Sequence, residues 1–80
     1  MTVPRYEAMR REQNNRCAIC RRPPGKRDLH VDHDHDTNVI RGLLCYYCNT
    51  GLGNFKDDIA LLEKACDYLR KHAGNGKASA

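Results

Sequence analysis

The apolar residues of this chain fall into short groups whose spacing predicts five elements. Near the start, Tyr6, Met9 and Gln13 share one face of a helix over residues 4–14, and Pro4 suits its first turn. The pattern then breaks. "NNRCAICRRPPGKRD" gathers Asn, Pro and Gly around Cys17 and Cys20 and reads as a turn-rich knuckle. "LHVDH" reads as a short strand, "DTN" supplies turn chemistry, and "VIRGLL" makes a second strand. Together they predict a hairpin with an irregular tip. Gly42 inside the second strand predicts a bend or a close backbone approach. After Cys45 a short helix is expected to stop near Gly51 or Gly53.

A longer helix follows in "DDIALLEKACDYLRKH". Ile59, Leu62, Ala65, Cys66 and Leu69 recur at helical spacing and form one apolar stripe. Asp57 and Asp58 suit its start, and Arg70, Lys71 and His72 its end. Cys66 on that stripe reads as a buried small hydrophobe. Gly74 is expected to stop the helix, and residues 74–80 read as a disordered tail.

These elements make one small α+β domain over residues 1–73 of the 80. With no Trp and one Phe, the apolar residues are too few to hold it comfortably. Something else must staple the fold, and the cysteines supply it. Cys17-x-x-Cys20 and Cys45-x-x-Cys48 stand 24 residues apart. Each turn aims two sulfurs at one point, and two such turns close a tetrahedral zinc site. Four thiolates leave no open position, so this zinc is expected to be structural. The rival readings are a redox dithiol or free thiols. The charged start "MTVPRYEAMRREQ" does not resemble a signal peptide, and no apolar run is long enough to span a membrane. A cytoplasmic chain with reduced thiols is therefore expected.

Charge adds a direction. Residues 1–27 carry eight Arg or Lys against two Glu, whereas residues 28–36 carry four Asp and no Arg or Lys. A basic flank beside an acidic knot fits a polyanion held close to a bound cation. Arg21, Arg22, Lys26, Arg27 and Arg41 are the candidate nucleic-acid contacts, with a solvated surface as the bland alternative.

The zinc leaves His30, Asp32, His33, Asp34, His35 and Asn49 unemployed. In a regular strand His30, Asp32 and Asp34 share one face and Val31, His33 and His35 the other. Asp32 and His33 can then meet at one point only if the strand is distorted. The chemistry that fits is phosphodiester hydrolysis with one hard cation, magnesium or manganese, which takes oxygen ligands such as Asp32 and Asn49. A neutral imidazole can take a proton from attacking water, and His33 is the best placed. A polar loop without metal, or a second structural metal, is the plainer account of the same run. Of Tyr46 and Tyr47, one is expected in the core and the other near DNA.

"CAIC", "VDHDHDTNVIRGLLCYYCNTGLGNFKDD" and "LLEKACDYL" together resemble the recombination endonuclease VII family of phage HNH endonucleases. The resemblance implies a ββα-metal fold, the HNH or His-Me finger, beside a four-cysteine zinc site. It implies Asp32 and Asn49 as metal ligands and His33 as general base. His30 and His35 are then expected to contact the scissile phosphate or complete the site. The implied activity is nicking or double-strand cleavage of DNA, in the host cytoplasm if the chain is phage-encoded. The alternatives are a zinc-stabilised nucleic-acid-binding module without catalysis and a zinc-held interaction domain. A homodimer, or a phage or host protein partner, stays open.

Overall fold

The computed structural model describes residues 1–73. The expectations of a stop at Gly74 and a disordered tail lie outside them. The order is α1 (Val3–Glu12), β1 (His30–His33), β2 (Ile40–Leu44), α2 (Tyr46–Asn54) and α3 (Ile59–His72). The two strands form one antiparallel sheet, so the architecture is small α+β, as the pattern predicts.

Thr2 caps α1, its hydroxyl accepting from the Arg5 amide at 3.3 Å, with Pro4 in the first turn. The Tyr6–Met9 face packs on a core of Cys17, Leu29, Leu43 and Leu44. The Tyr6 hydroxyl donates to the Leu29 carbonyl at 2.7 Å, and burial, with Asp28 nearby, raises its pKa. The helix ends earlier than its spacing predicts because Asn14 and Asn15 take left-handed backbone, φ 56° and 55°, just after its C-cap, Gln13. The Gln13 Nε2 donates to the carbonyls of Leu43 (3.0 Å) and Arg16 (2.8 Å), and its Oε1 accepts from the Leu43 amide at 2.9 Å. The Ala18 amide also reaches the Leu43 carbonyl, at 3.0 Å. One side chain thus satisfies the free edge of β2, which a two-stranded sheet otherwise leaves open. The same approach accounts for Gly42: a Cβ there would stand 3.3 Å from Gln13 Oε1 and 3.8 Å from Ala18 Cβ.

The hairpin register runs His30 to Leu44, Val31 to Leu43 and Asp32 to Gly42, then jumps to pair His33 with Ile40. Arg41 is left over as a β-bulge, which bends and twists the ladder there. At the tip, Asp34 Oδ1 accepts from the amides of Asp36 (2.8 Å) and Thr37 (3.0 Å). Those backbone bonds, Thr37 first, lower the Asp34 pKa. Asp34 therefore shapes the turn.

The helix after Cys45 passes Gly51 and ends at Asn54, one residue beyond Gly53, where the pattern predicts its stop. Two expectations need correction. Neither Tyr46 nor Tyr47 enters the core; they are 44% and 75% exposed. Cys66 is exposed rather than buried. Its helix carries the stripe, but among the described residues that face is only partly covered: Leu62 and Ala65 are half-buried, while Ile59 and Leu69 stand in solvent. Periodicity marks an apolar face and does not say what lies over it.

Gln13→Ala is expected to lower stability by about 1–3 kcal/mol, because it strands the Leu43 amide at a part-buried edge and leaves the Leu43 carbonyl to Ala18 alone. Denaturant unfolding of the zinc-loaded protein measures it.

Candidate functional site

The two knuckles meet where β2 ends. Cys45 serves as the N-cap of α2, its Sγ accepting from the Cys48 amide at 3.4 Å. The Ile19 amide points at Cys17 Sγ at the same distance. In the first knuckle the Arg21 amide donates to the Cys17 carbonyl at 3.0 Å and the Cys17 amide to the Arg22 carbonyl at 2.9 Å. Arg21 adopts φ 64° to make that turn. All four Sγ atoms then lie within 4.8 Å of one another, with Cys20 and Cys45 3.8 Å apart. Four sulfurs each about 2.3 Å from a tetrahedral centre stand about 3.8 Å apart, so the cluster has the dimensions of a zinc site.

Electrostatics agrees. Burial raises the Cys17 thiol, but backbone amides at Cys45, Cys20 and Ile19 and the Cys48 thiol outweigh it and bring it to about 6. Burial and the neighbouring sulfurs push Cys48 up to about 12. A bare cluster accepts one thiolate and resists the next, the deficit that a dication relieves. Cys17, Cys20, Cys45 and Cys48 can therefore hold zinc, with no position left for substrate.

The second set of residues lies on the other side of α2. Asp32, His33, His35 and Asn49 line one cavity of about 200 Å³, together with Val31, Gly53 and Asp57. Asp32 and His33 come from adjacent strand positions that an undistorted strand would aim apart, and the bulge lies between them. The His33 and His35 rings stand 5.0 Å apart, tilted by 57°. Asn49 reaches the cavity from the first turn of α2, one residue beyond the zinc-site Cys48. His30 does not line this cavity. Its ring lies 6.3 Å from Tyr46, and its Nε2 is shut from solvent with no hydrogen-bond partner.

The bulged Arg41 does not point freely outward. Its Nε donates to Asp32 Oδ2 at 2.7 Å, and its Nη2 to Asp32 Oδ1 at 3.0 Å and Asp57 Oδ2 at 3.2 Å. The Asp32 hydrogen bonds, with Asp57 in support, raise the Arg41 pKa and keep it charged. Asp57 is a site residue that the sequence pattern missed. Two adjacent Asp before α3 look like a doubled cap. Asp58 alone caps, accepting from the Leu61 amide at 3.1 Å, while Asp57 at φ 56° turns toward Arg41. The surplus carboxylate was the available signal.

Of the remaining cations, Arg22, Lys26 and Arg27 line a separate, larger cavity of about 430 Å³ with Cys45, Tyr46 and Tyr47. Arg21 is not part of it; its carbonyl accepts from Arg16 at 3.1 Å.

A four-cysteine centre of this kind, grafted onto a hairpin and helix that gather Asp, His and Asn, defines a small zinc-type α+β domain with a hard-ligand cleft. The chain belongs to the recombination endonuclease VII family, whose model matches residues 1–71. It is 51% identical over 73 residues to the Gene 59 protein of Mycobacterium phage D29, an alignment covering 89% of this chain and 44% of that protein. It is 49% identical over 59 residues to the Gene 59 protein of Mycobacterium phage L5, covering 71% of this chain and 36% of that one. The chain thus spans less than half the length of these relatives. No solved structure matches it. The family points to a nuclease acting on DNA. Among the described residues, no helix is long and apolar enough to cross a membrane.

One zinc per chain is expected by elemental analysis. Its removal by chelator, or Cys17→Ser, is expected to unfold the domain, since structural zinc contributes roughly 10–16 kcal/mol in small peptides. Loss of the far-UV circular dichroism signal on chelation is the readout.

Proposed function

We propose that this chain is a metal-dependent DNA endonuclease domain of the HNH type, with β1, β2 and α2 as its ββα-metal frame. The observation that carries this reading is the bulge at Arg41, which lets Asp32 and His33 share a cavity with Asn49. A carboxylate and an amide oxygen on one wall form the donor set that a hard cation takes, and the cleft is open to a phosphate. Asp32 and Asn49 would hold magnesium or manganese, which when bound supplies positive charge to the phosphate oxygens.

His33 accepts a proton from water as that water attacks the phosphorus. The bond to the leaving deoxyribose oxygen breaks, and that oxygen takes up a proton from solvent. His35, its ring tilted against that of His33, is assigned to the phosphate. His30, whose Nε2 is shut from solvent, is assigned a supporting place behind the cleft beside Tyr46 rather than a contact with the phosphate. Arg41 has a donor fork suited to a phosphate oxygen once Asp32 has another cation. The products are nicked or linear DNA.

One observation favours a second reading, a zinc-stabilised nucleic-acid-binding module without catalysis. Arg41 occupies both Asp32 oxygens and already neutralises the carboxylate. The two readings part on metal binding and on cleavage.

Supercoiled plasmid incubated with Mg²⁺ or Mn²⁺ is expected to give nicked and linear product, with His33→Ala abolishing it and Asp32→Ala and Asn49→Ala reducing it severely. Equal trace cleavage by wild type and His33→Ala sinks the enzyme reading. Arg41→Ala is expected to tighten Mn²⁺ binding, measured by calorimetry without DNA, because the guanidinium and the ion compete for the same two oxygens. No Mn²⁺ binding by either protein selects the module.

A further inference from the structure

The larger cavity has no part in the chemistry above, yet its lining is specific. It holds about 430 Å³, inside the range of about 300–1,000 Å³ that small-ligand pockets occupy, whereas the Asp32 cleft falls below it. Arg22, Lys26 and Arg27 bring three positive charges, and no carboxylate lines it. Among the described residues none of the three cations forms an ion pair. The Arg27 guanidinium carbon lies 4.5 Å from the centre of the Tyr46 ring. Tyr47 meets Tyr46 edge to face at 5.5 Å and leaves its own ring largely in solvent.

Exposed aromatic faces beside unpaired cations are what single-stranded nucleic acid requires. Bases stack on the rings or on arginine planes, and backbone phosphates settle on the cations. A paired base inside a duplex has no free face to offer. The chemistry therefore selects an unpaired nucleotide over a duplex segment, and it selects a nucleotide over an acidic peptide, which has no use for the aromatic wall.

We infer that the cavity formed by Arg22, Lys26, Arg27, Tyr46 and Tyr47 binds one unpaired nucleotide of a DNA strand, its base against Tyr47 and its phosphate on Lys26 and Arg22. This rests on the reading of the chain as a DNA-acting domain. Tyr46 is the link between the two sites. It lines the cavity on one side and faces His30 of the hairpin on the other, and Asn49 follows it by three positions on α2. A strand anchored by an unpaired base here is carried toward the Asp32 cleft along the first turn of one helix.

The test measures binding alone, by fluorescence anisotropy with zinc-loaded protein and neither Mg²⁺ nor Mn²⁺ added. The probes are an end-labelled oligothymidylate of about 4–16 nucleotides and a blunt hairpin duplex. Wild type is expected to prefer the oligothymidylate. Tyr47→Ala is expected to weaken that binding between about fivefold and a hundredfold, with the duplex affinity unchanged. Tyr47→Phe keeps the ring and is expected to restore the affinity. Lys26→Ala is expected to reduce the log–log salt slope by about 0.7, while Tyr47→Ala leaves the slope alone. The inference is overturned if Tyr47→Ala binds the oligothymidylate as wild type does, or if it weakens both probes equally. It is also overturned if polyglutamate displaces the oligothymidylate from wild type but not from Lys26→Ala. Tyr47-dependent binding by a protein that cuts no plasmid would discard the nuclease reading and keep this site.

Discussion

Four sulfur atoms within 4.8 Å of one another are not a resting arrangement for a chain without a cation. Thiols packed so closely lose hydration, and their second ionisation is opposed by the first. Among the described residues the buried core amounts to four, and Cys17 is one of them. The cluster therefore does what a larger apolar interior does elsewhere. It fixes the loop after α1 to the junction of β2 and α2, two pieces far apart in sequence. Because Cys45 also caps α2, the staple sets where that helix begins and in which direction it starts. Tyr46, Tyr47 and Asn49 are consequently placed by the geometry of the cysteine cluster more than by their own packing.

The opposite side of α2 depends on a balance of charge. Asp32 across the hairpin and Asp57 from the segment before α3 share the one Arg41, so the cleft's negative charge is partly offset from within. Such a pair is partly open to water, and its net worth to stability is small. Its importance is positional. The guanidinium fork fixes the carboxylate plane beside His33, and the same fork is the group that must give way when another cation arrives. The tip turn at Asp34 works in parallel by fixing where the chain leaves β1, and it acts through backbone amides that carry no chemistry themselves.

Much of this was legible because it is local. The Cys-x-x-Cys turns announce their geometry in four residues each, and the hairpin and helices follow from short-range pattern and punctuation. The tension between Asp32 and His33 was visible as a conflict with strand alternation. Its resolution was not, since a bulge belongs to the pairing of two strands and Arg41 looks like any exposed strand residue. Asp57 was hidden behind Asp58, because the cap preference of either is satisfied by one. The exposure of Cys66 was unreadable for a different reason: a stripe on α3 defines a surface, and its burial depends on what lies opposite. The assembly of Tyr46 and Tyr47 with Arg27 joins residues about 20 positions apart through a loop whose path the zinc knuckle dictates.

The single unpaired residue of β2 makes strand length part of the chemistry. A gene lacking only the Arg41 codon would encode every proposed ligand and base. The hairpin would close with an even ladder, and His33 would turn into the half-space opposite Asp32. Such a protein would bind its zinc and keep its helices, with its cleft split between two faces of a flat ribbon. Under the proposed reading, the count of residues between motifs matters as much as the motifs themselves.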